Sequence, residues 1–209
     1  AGADVAVAEV SPLLMEAFQA RTEGLMLKAL DGAGYEPSKR SESWYKVKKD
    51  YCAGISDSLD LVPIGAWRGN GRKAGWFSPF LMAAWDPEAE EFQSVCRVMS
   101  GFTDEFYREA TKRFTENHLL EGPKPYYRTG EHPQIWLDAA EVWEIRGADF
   151  TISPVHTAAA GRVHESRGVS MRFPRFIRSR EDKSPEEASS PDVIAQLYFS
   201  QTRRTEGGG

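Results

Sequence analysis

A mainly β chain with few helices is the architecture this sequence predicts, its larger part a five-stranded barrel with one helix after the third strand and a second helix at the C-terminus. Three observations predict it. From Leu59 onward, short apolar runs alternate with turn residues at strand spacing. One stretch of helical periodicity, 103–118, separates the third of those runs from the fourth. The pattern changes near Ser56 to Ser58, so residues 1–55 and 56–203 are expected to form separate domains, with 204–209 a disordered tail.

Ser11-Pro12 is expected to open the first helix, because serine can cap free amides and proline, lacking an amide hydrogen, is tolerated at the first helical position. Leu13, Leu14, Ala17 and Phe18 supply its apolar face. Gly24 to Leu30 is apolar enough for a buried strand, D-G-A-G at 31–34 ends it with turn chemistry, and Ser43 to Lys49 forms the second strand. Barrel strands are expected at 59–67, 76–85, 91–98, 141–150 and 168–178. Pro63 has no amide hydrogen for a ladder, which places it at an edge or a bulge. R-G-N-G-R-K-A-G at 68–75 reads as a hairpin turn with Arg72 and Lys73 at its tip. In the helix, Thr103 can cap, Asp104 and Glu105 suit the positive end of the dipole, and Phe106, Ala110 and Phe114 share a face. S-P-E-E at 184–187 and S-P-D at 190–192 are further helix starts, the second running through Tyr198. Five strands with one helix after the third is the element order of an OB-fold, and other small barrels also close with five strands.

The 209 residues, 41% hydrophobic with 6 Trp and 11 Phe, are enough for one ordinary domain and part of another. No run of eighteen or more apolar residues occurs, so no transmembrane helix is expected. Cys52 and Cys96 stand far apart, which favours buried thiols over a disulfide framework, and His118, His132, His156 and His164 show no ligand spacing. The net charge of −5 argues against a wholly basic nucleic-acid binder. The cations are unevenly spread, however: Lys39, Arg40, Lys46, Lys48 and Lys49 crowd one stretch, and Arg172, Arg175, Arg178, Arg180 and Lys183 another. A start without Met and a close on Gly-Gly-Gly suggest a piece of a longer protein.

The first basic stretch has two readings. Side chains alternate along a strand, so Lys46 and Lys48 share a face at roughly 7 Å. They either blunt an edge strand against aggregation or meet an anion such as phosphate.

E-G-L-M-L-K at 23–28, Y-E at 35–36, K-R-S-E-S-W at 39–44 and K-V-K at 46–48 resemble motifs four and five of the covalent nucleotidyltransferases, specifically the eukaryotic ATP-dependent DNA ligases of the replicative type. R-F-P-R-F-I-R-S-R-E-D-K at 172–183 resembles motif six of the same enzymes, and the likeness covers about residues 15–200. The resemblance implies that residues 1–55 end a nucleotidyltransferase (adenylation) domain and that 56–203 form its OB-fold partner. It implies ATP as nucleotide, held by Glu23, Lys28, Lys46, Lys48, Arg180, Asp182 and Lys183, with Glu23 also helping to bind Mg²⁺. It implies nicked double-stranded DNA as partner, met by Arg172, Phe173 and Arg175, with Arg72 and Lys73 added from the hairpin tip. Phe173 matches a residue pressed into the minor groove beside the nick. Its competing role is core, because Val169, Met171 and Phe173 have the same parity. Strict alternation also puts Glu23 and Lys28 on opposite faces, so the strand must twist, bulge or end if both reach one nucleotide.

The chain departs from the family where motif one should be. No K-x-D-G occurs, and K-A-L-D-G at 28–32 has one residue too many and follows motif four. No catalytic lysine is therefore assigned, and the chain alone is expected not to ligate until joined to the N-terminal part of the same ligase. By resemblance the whole enzyme is a monomer without membrane contact, located in the nucleus, an organellar form being left open. Two alternatives stay open: an RNA ligase or messenger-RNA capping guanylyltransferase of the same superfamily, and a non-catalytic OB module that binds single strands.

Overall fold

The computed structural model describes residues 2–20, 22, 24–28, 44–48 and 58–206. The chain divides into two compact units, the first holding Ala1–Ser56 and the second Asp57–Glu206. In the first, helix α1 (Gly2–Gln19) precedes strands β1 (Gly24–Lys28) and β2 (Trp44–Lys48). The helix opens at Gly2 and carries Pro12 in its interior, which corrects the expected start at Ser11-Pro12. Ala3, Ala6, Ala8 and Glu9 are strong helix formers, and the one amide that Pro12 withholds interrupts their ladder locally without ending it. Leu14 is buried, whereas Leu13 is exposed and does not belong to the apolar face. Thr22 closes the helix, its amide and hydroxyl both donating to the Ala17 carbonyl at 3.0 Å.

The second unit is mostly β, with strands β3 (Ser58–Arg68), β4 (Phe77–Asp86) and β5 (Glu91–Val98), then helix α2 (Asp104–Asn117). Three short strands follow, β6 (Leu119–Leu120), β7 (Tyr127–Arg128) and β8 (Ile135–Leu137), too short to show a period in sequence. The last four are β9 (Trp143–Arg146), β10 (Asp149–Ser153), β11 (Gly168–Arg172) and β12 (Arg175–Ser179), before helix α3 (Pro191–Glu206). The expected strands at 141–150 and 168–178 are thus each broken in two, and at matching places. β9 pairs with β12 up to Arg146↔Arg175, and β10 with β11 from Asp149↔Arg172, so Gly147-Ala148 lies across from Phe173-Pro174 at one shared corner. Glycine is needed at 147 because a Cβ there would stand 2.2 Å from the Met171 side chain. Helix α3 also runs past the expected end of order at Arg203, since the chain offers no helix breaker before Gly207.

The main sheet runs β12-β9-β3-β4-β5-β7 and curls into an OB-type barrel. Phe176 N–H of β12 donates to the Ser100 carbonyl just after β5 at 2.9 Å, and Thr157 and Ala158 N–H, in the link between β10 and β11, donate to the Ser94 carbonyl of β5 at 3.1 and 3.0 Å. The register shifts between Pro63 and Gly65, the bulge that a mid-strand proline requires. Alternation along β3 turns Leu59 and Leu61 to one cluster and Val62 and Ile64 to the other, and the shift returns Ala66 to the first. Inside the first, Trp143 is fully buried, its ring centroid 4.9 Å from that of Phe80 and 5.5 Å from that of Phe176. Helix α2 covers it with Tyr107, Ala110 and Phe114 and is capped by Thr103 Oγ1, which accepts from Phe106 N–H at 3.1 Å.

Candidate functional site

In the first unit the hairpin register pairs Gly24 with Lys48, Met26 with Lys46, and Lys28 with Trp44. Directly opposed residues in an antiparallel pair share a face, so positions 28, 46 and 48 all lie on one side of the hairpin. Leu25, Leu27, Tyr45 and Val47 take the other. Lys28 and Lys46 are exposed, and the Lys28 ammonium lies 4.7 Å from the centroid of the Trp44 ring. β1 runs unbroken to Lys28, so the strand neither bulges nor ends within Gly24–Lys28. At its head Gly24 takes φ 143°, a value that L side chains rarely adopt. Glu23 lies outside the described residues, as does the Lys48 side chain.

The basic segment of the second unit separates into two groups. At the shared corner, Val169 and Met171 are buried, but Phe173 is 63% exposed. Its φ of 51° turns the chain out of strand alternation, which removes it from the core that parity alone allowed. The Arg172 guanidinium stands 4.9 Å from the Phe173 ring centroid and 3.6 Å from Asp149. Arg175 is exposed and has no ion-pair partner among the described residues. Across the ladder it meets Arg146, whose own neighbour on β3 is Ser58. The Arg146 Nε is buried with no hydrogen-bond partner among the described residues. Two arginines therefore stand directly opposed, an arrangement that destabilises a sheet unless an anion joins them. The next row is balanced, Arg178 donating to Glu144 at 2.8 Å and holding that carboxyl below its ordinary range.

Arg180, Asp182 and Lys183 form the second group, and Asp60 of β3 completes it. Arg180 Nη1 donates to Asp60 Oδ1 and Oδ2 at 3.0 and 2.9 Å, while Nε and Nη2 donate to Asp182 at 2.9 and 2.8 Å. Lys183 Nζ donates to Asp60 Oδ2 at 2.7 Å. The bond to Arg180 keeps Asp182 well below the usual carboxylate range, and Asp182 with Asp60 raises the Arg180 guanidinium above its own. Beside this cluster lies a groove of about 530 Å³, lined among others by Phe106, Arg113, Glu141, Ser179, Arg180 and Lys183. Arg113 grips Glu141 through Nε and Nη2 at 2.9 and 3.1 Å.

Arg72 and Lys73 lie not at a free hairpin tip but in a 3-10 turn, Gly71–Lys73. Arg72 is paired with Asp104 at 2.5 Å. The Lys73 ammonium donates to the Met99 carbonyl at 2.9 Å and the Tyr107 hydroxyl at 2.8 Å. Asp60 and Arg146 escaped the sequence reading. Each alternates with core residues and reads as an ordinary outward position, and nothing local links Asp60 to a residue 120 positions away.

The model of the ATP dependent DNA ligase C terminal region matches residues 73–183. The chain belongs to the ATP-dependent DNA ligase family. A second ligase model, the ATP dependent DNA ligase domain, matches residues 5–48. Among relatives, DNA ligase 6 of Arabidopsis thaliana is 60% identical over 95% of this chain and 14% of its own length. DNA ligase 3 of Schizosaccharomyces pombe is 50% identical over 87% of this chain and 24% of its own. DNA ligase 1 of Drosophila melanogaster is 45% identical over 92% and 26%. The chain thus spans between 14% and 26% of the length of these relatives. A solved structure named Pmar-Lig_Pre. aligns with 83% of this chain and 30% of its own at 25% identity, with a TM-score of 0.52.

Proposed function

We propose that the ligase carrying this chain seals single-strand nicks in duplex DNA in the nucleus, in three phosphoryl transfers. In the first, a lysine amine supplied by the N-terminal part of the enzyme loses its proton and attacks the ATP α-phosphorus. A P–N bond forms, the bond to the β-phosphate oxygen breaks, and pyrophosphate leaves with the electron pair. In the second, an oxygen of the 5′-phosphate at the nick attacks the same phosphorus and displaces the lysine. In the third, the 3′-hydroxyl attacks the 5′-phosphate, loses its proton, and AMP departs.

All three steps build up negative charge on phosphate oxygens, so fixed cations are the chief requirement. Lys28, Lys46 and Lys48, on one hairpin face, face the nucleotide phosphates as mobile point charges. Arg180, Asp182 and Lys183 orient the pyrophosphate leaving group in the first step only. Mg²⁺ would neutralise phosphate charge with help from Glu23. Among the described residues, which do not include Glu23, no three metal-ligating side chains come together.

The observation that carries the reading is Phe173: an exposed aromatic at a positive-φ corner, flanked by Arg172 and Arg175, suits a wedge in a minor groove with phosphates on either side. Arg146 extends that cationic row. The test takes the chain alone and the ligase that carries it, each incubated with labelled ATP, Mg²⁺ and nicked duplex. The ligase is expected to form a covalent AMP adduct and seal the nick, and the chain alone to do neither. An adduct on the isolated chain would refute the assignment of the nucleophile to the N-terminal part, and sealing of RNA ends in preference to nicked DNA would refute the substrate.

A further inference from the structure

We propose that Asp60 is a positioning residue for the first chemical step, one that aligns Arg180 and Lys183 for the departing pyrophosphate. The inference rests on the reading of Arg180 and Lys183 given above, and its own support is geometric. Asp60 is held on three counts. Its strand is laddered to β9 through Glu144, its amide donates to Ser189 Oγ at 2.9 Å, and its carbonyl accepts from Ser189 N–H at 2.8 Å. The side chain is 13% exposed and both of its oxygens are in use.

Arginine offers five N–H donors in a rigid plane, and the lysine ammonium three. Both Asp60 oxygens accept from Nη1 of Arg180, and Asp182 accepts from Nε and Nη2. The guanidinium is thereby clamped between two carboxylates, which fixes the plane in which its remaining Nη hydrogens point. Oδ2 of Asp60 also anchors Lys183, whose ammonium keeps two further hydrogens. A single half-buried carboxylate therefore sets the spacing of both cations. The acids of this row divide the work: Glu144 is engaged by Arg178, so it cannot replace Asp60. Asp60 touches no reacting atom and acts only through the two cations.

The experiment uses the full-length ligase with Asp60→Ala, Asp60→Asn and, as control on the underlying reading, Arg180→Ala. Three quantities are measured: the rate of enzyme–AMP formation against ATP concentration, the sealing of a pre-adenylylated nick without ATP, and the thermal unfolding midpoint. Asp60→Ala is expected to slow enzyme–AMP formation by roughly tenfold to a hundredfold, the range for misaligned catalytic groups, with pre-adenylylated sealing within about twofold. Asp60→Asn keeps an oxygen for Arg180 and is expected to recover part of the loss. Should Asp60→Ala fail to fold, Asp60→Asn decides, and enzyme–AMP formation unchanged in it overturns the inference. Equal loss in both steps also overturns it, because that is the mark of a merely structural residue. If Arg180→Ala leaves the first step intact, the reading of Arg180 falls and the inference with it. If Arg180→Ala slows that step while both Asp60 variants do not, only the inference falls.

Discussion

Among single residues, His156 shows how burial alone can make a side chain sensitive to acid. It is 7% exposed, with Nδ1 3.2 Å from Ser94 Oγ and Nε2 3.8 Å from Glu131 Oε1. Burial drives its pKa down and Arg97 adds to that, Glu131 offsets part, and the ring is held at about 4. An unfolded histidine titrates near 6.5. Between these values the unfolded chain binds a proton that the folded one refuses, so stability rises with pH across this window. The contribution is complete above about pH 6.5, is lost on acidification, and falls no further below about 4. About 2 kcal/mol is expected to disappear by pH 5. Urea midpoints at pH 7 and 5 check it: His156→Gln is expected to flatten the pH dependence, and an unchanged slope would refute the assignment. Lys73 carries a related lesson. Its sequence neighbours describe an exposed turn, yet its ammonium satisfies a carbonyl and a phenol of the fold, as a half-buried cation must.

At the scale of elements, the corner between β11 and β12 is the informative one. A phenylalanine at φ 51° carries a backbone cost of about 1 kcal/mol. Phe173→Gly would relieve it, while glycine loses more chain entropy on folding, by about 0.5–1 kcal/mol. Because the ring is 63% exposed, little burial is lost. The expected net change in the urea midpoint is therefore within about 1 kcal/mol, whereas affinity for nicked duplex should fall. A large stability loss would mean the ring is structural. Element existence in this barrel was largely legible: β3, β4, β5 and α2 follow the expected spans closely, since each carries a sustained period and its own turn or cap. The corner was not legible. The shared parity of Val169, Met171 and Phe173 extends one strand past Pro174, and the break shows only in the pairing, where β11 ladders with β10 and β12 with β9.

For the chain as a whole, the net charge of −5 means that the DNA contact proposed above would depend on local surfaces, not on overall attraction. If Arg146, Arg172 and Arg175 each neutralise one phosphate, nicked-duplex affinity should fall with a slope of about −3 in log affinity against log salt. Arg146→Gln should reduce that slope by about 1 without changing which duplex is preferred. A salt-independent affinity would overturn the electrostatic account. The sequence by itself determined the β-rich class, the single helix after the third barrel strand, and the alternation that puts Lys46 and Lys48 on one face, because each follows from periodicity and turn chemistry within a few residues. Tertiary structure alone decided which cations are committed and which are open. Lys73 is tied to Met99 and Tyr107, and Arg180 and Lys183 are gathered by Asp60, while Arg175 stands opposed to another arginine. Those partners lie on other strands and helices, and only the closing of the sheet brings them within hydrogen-bond reach.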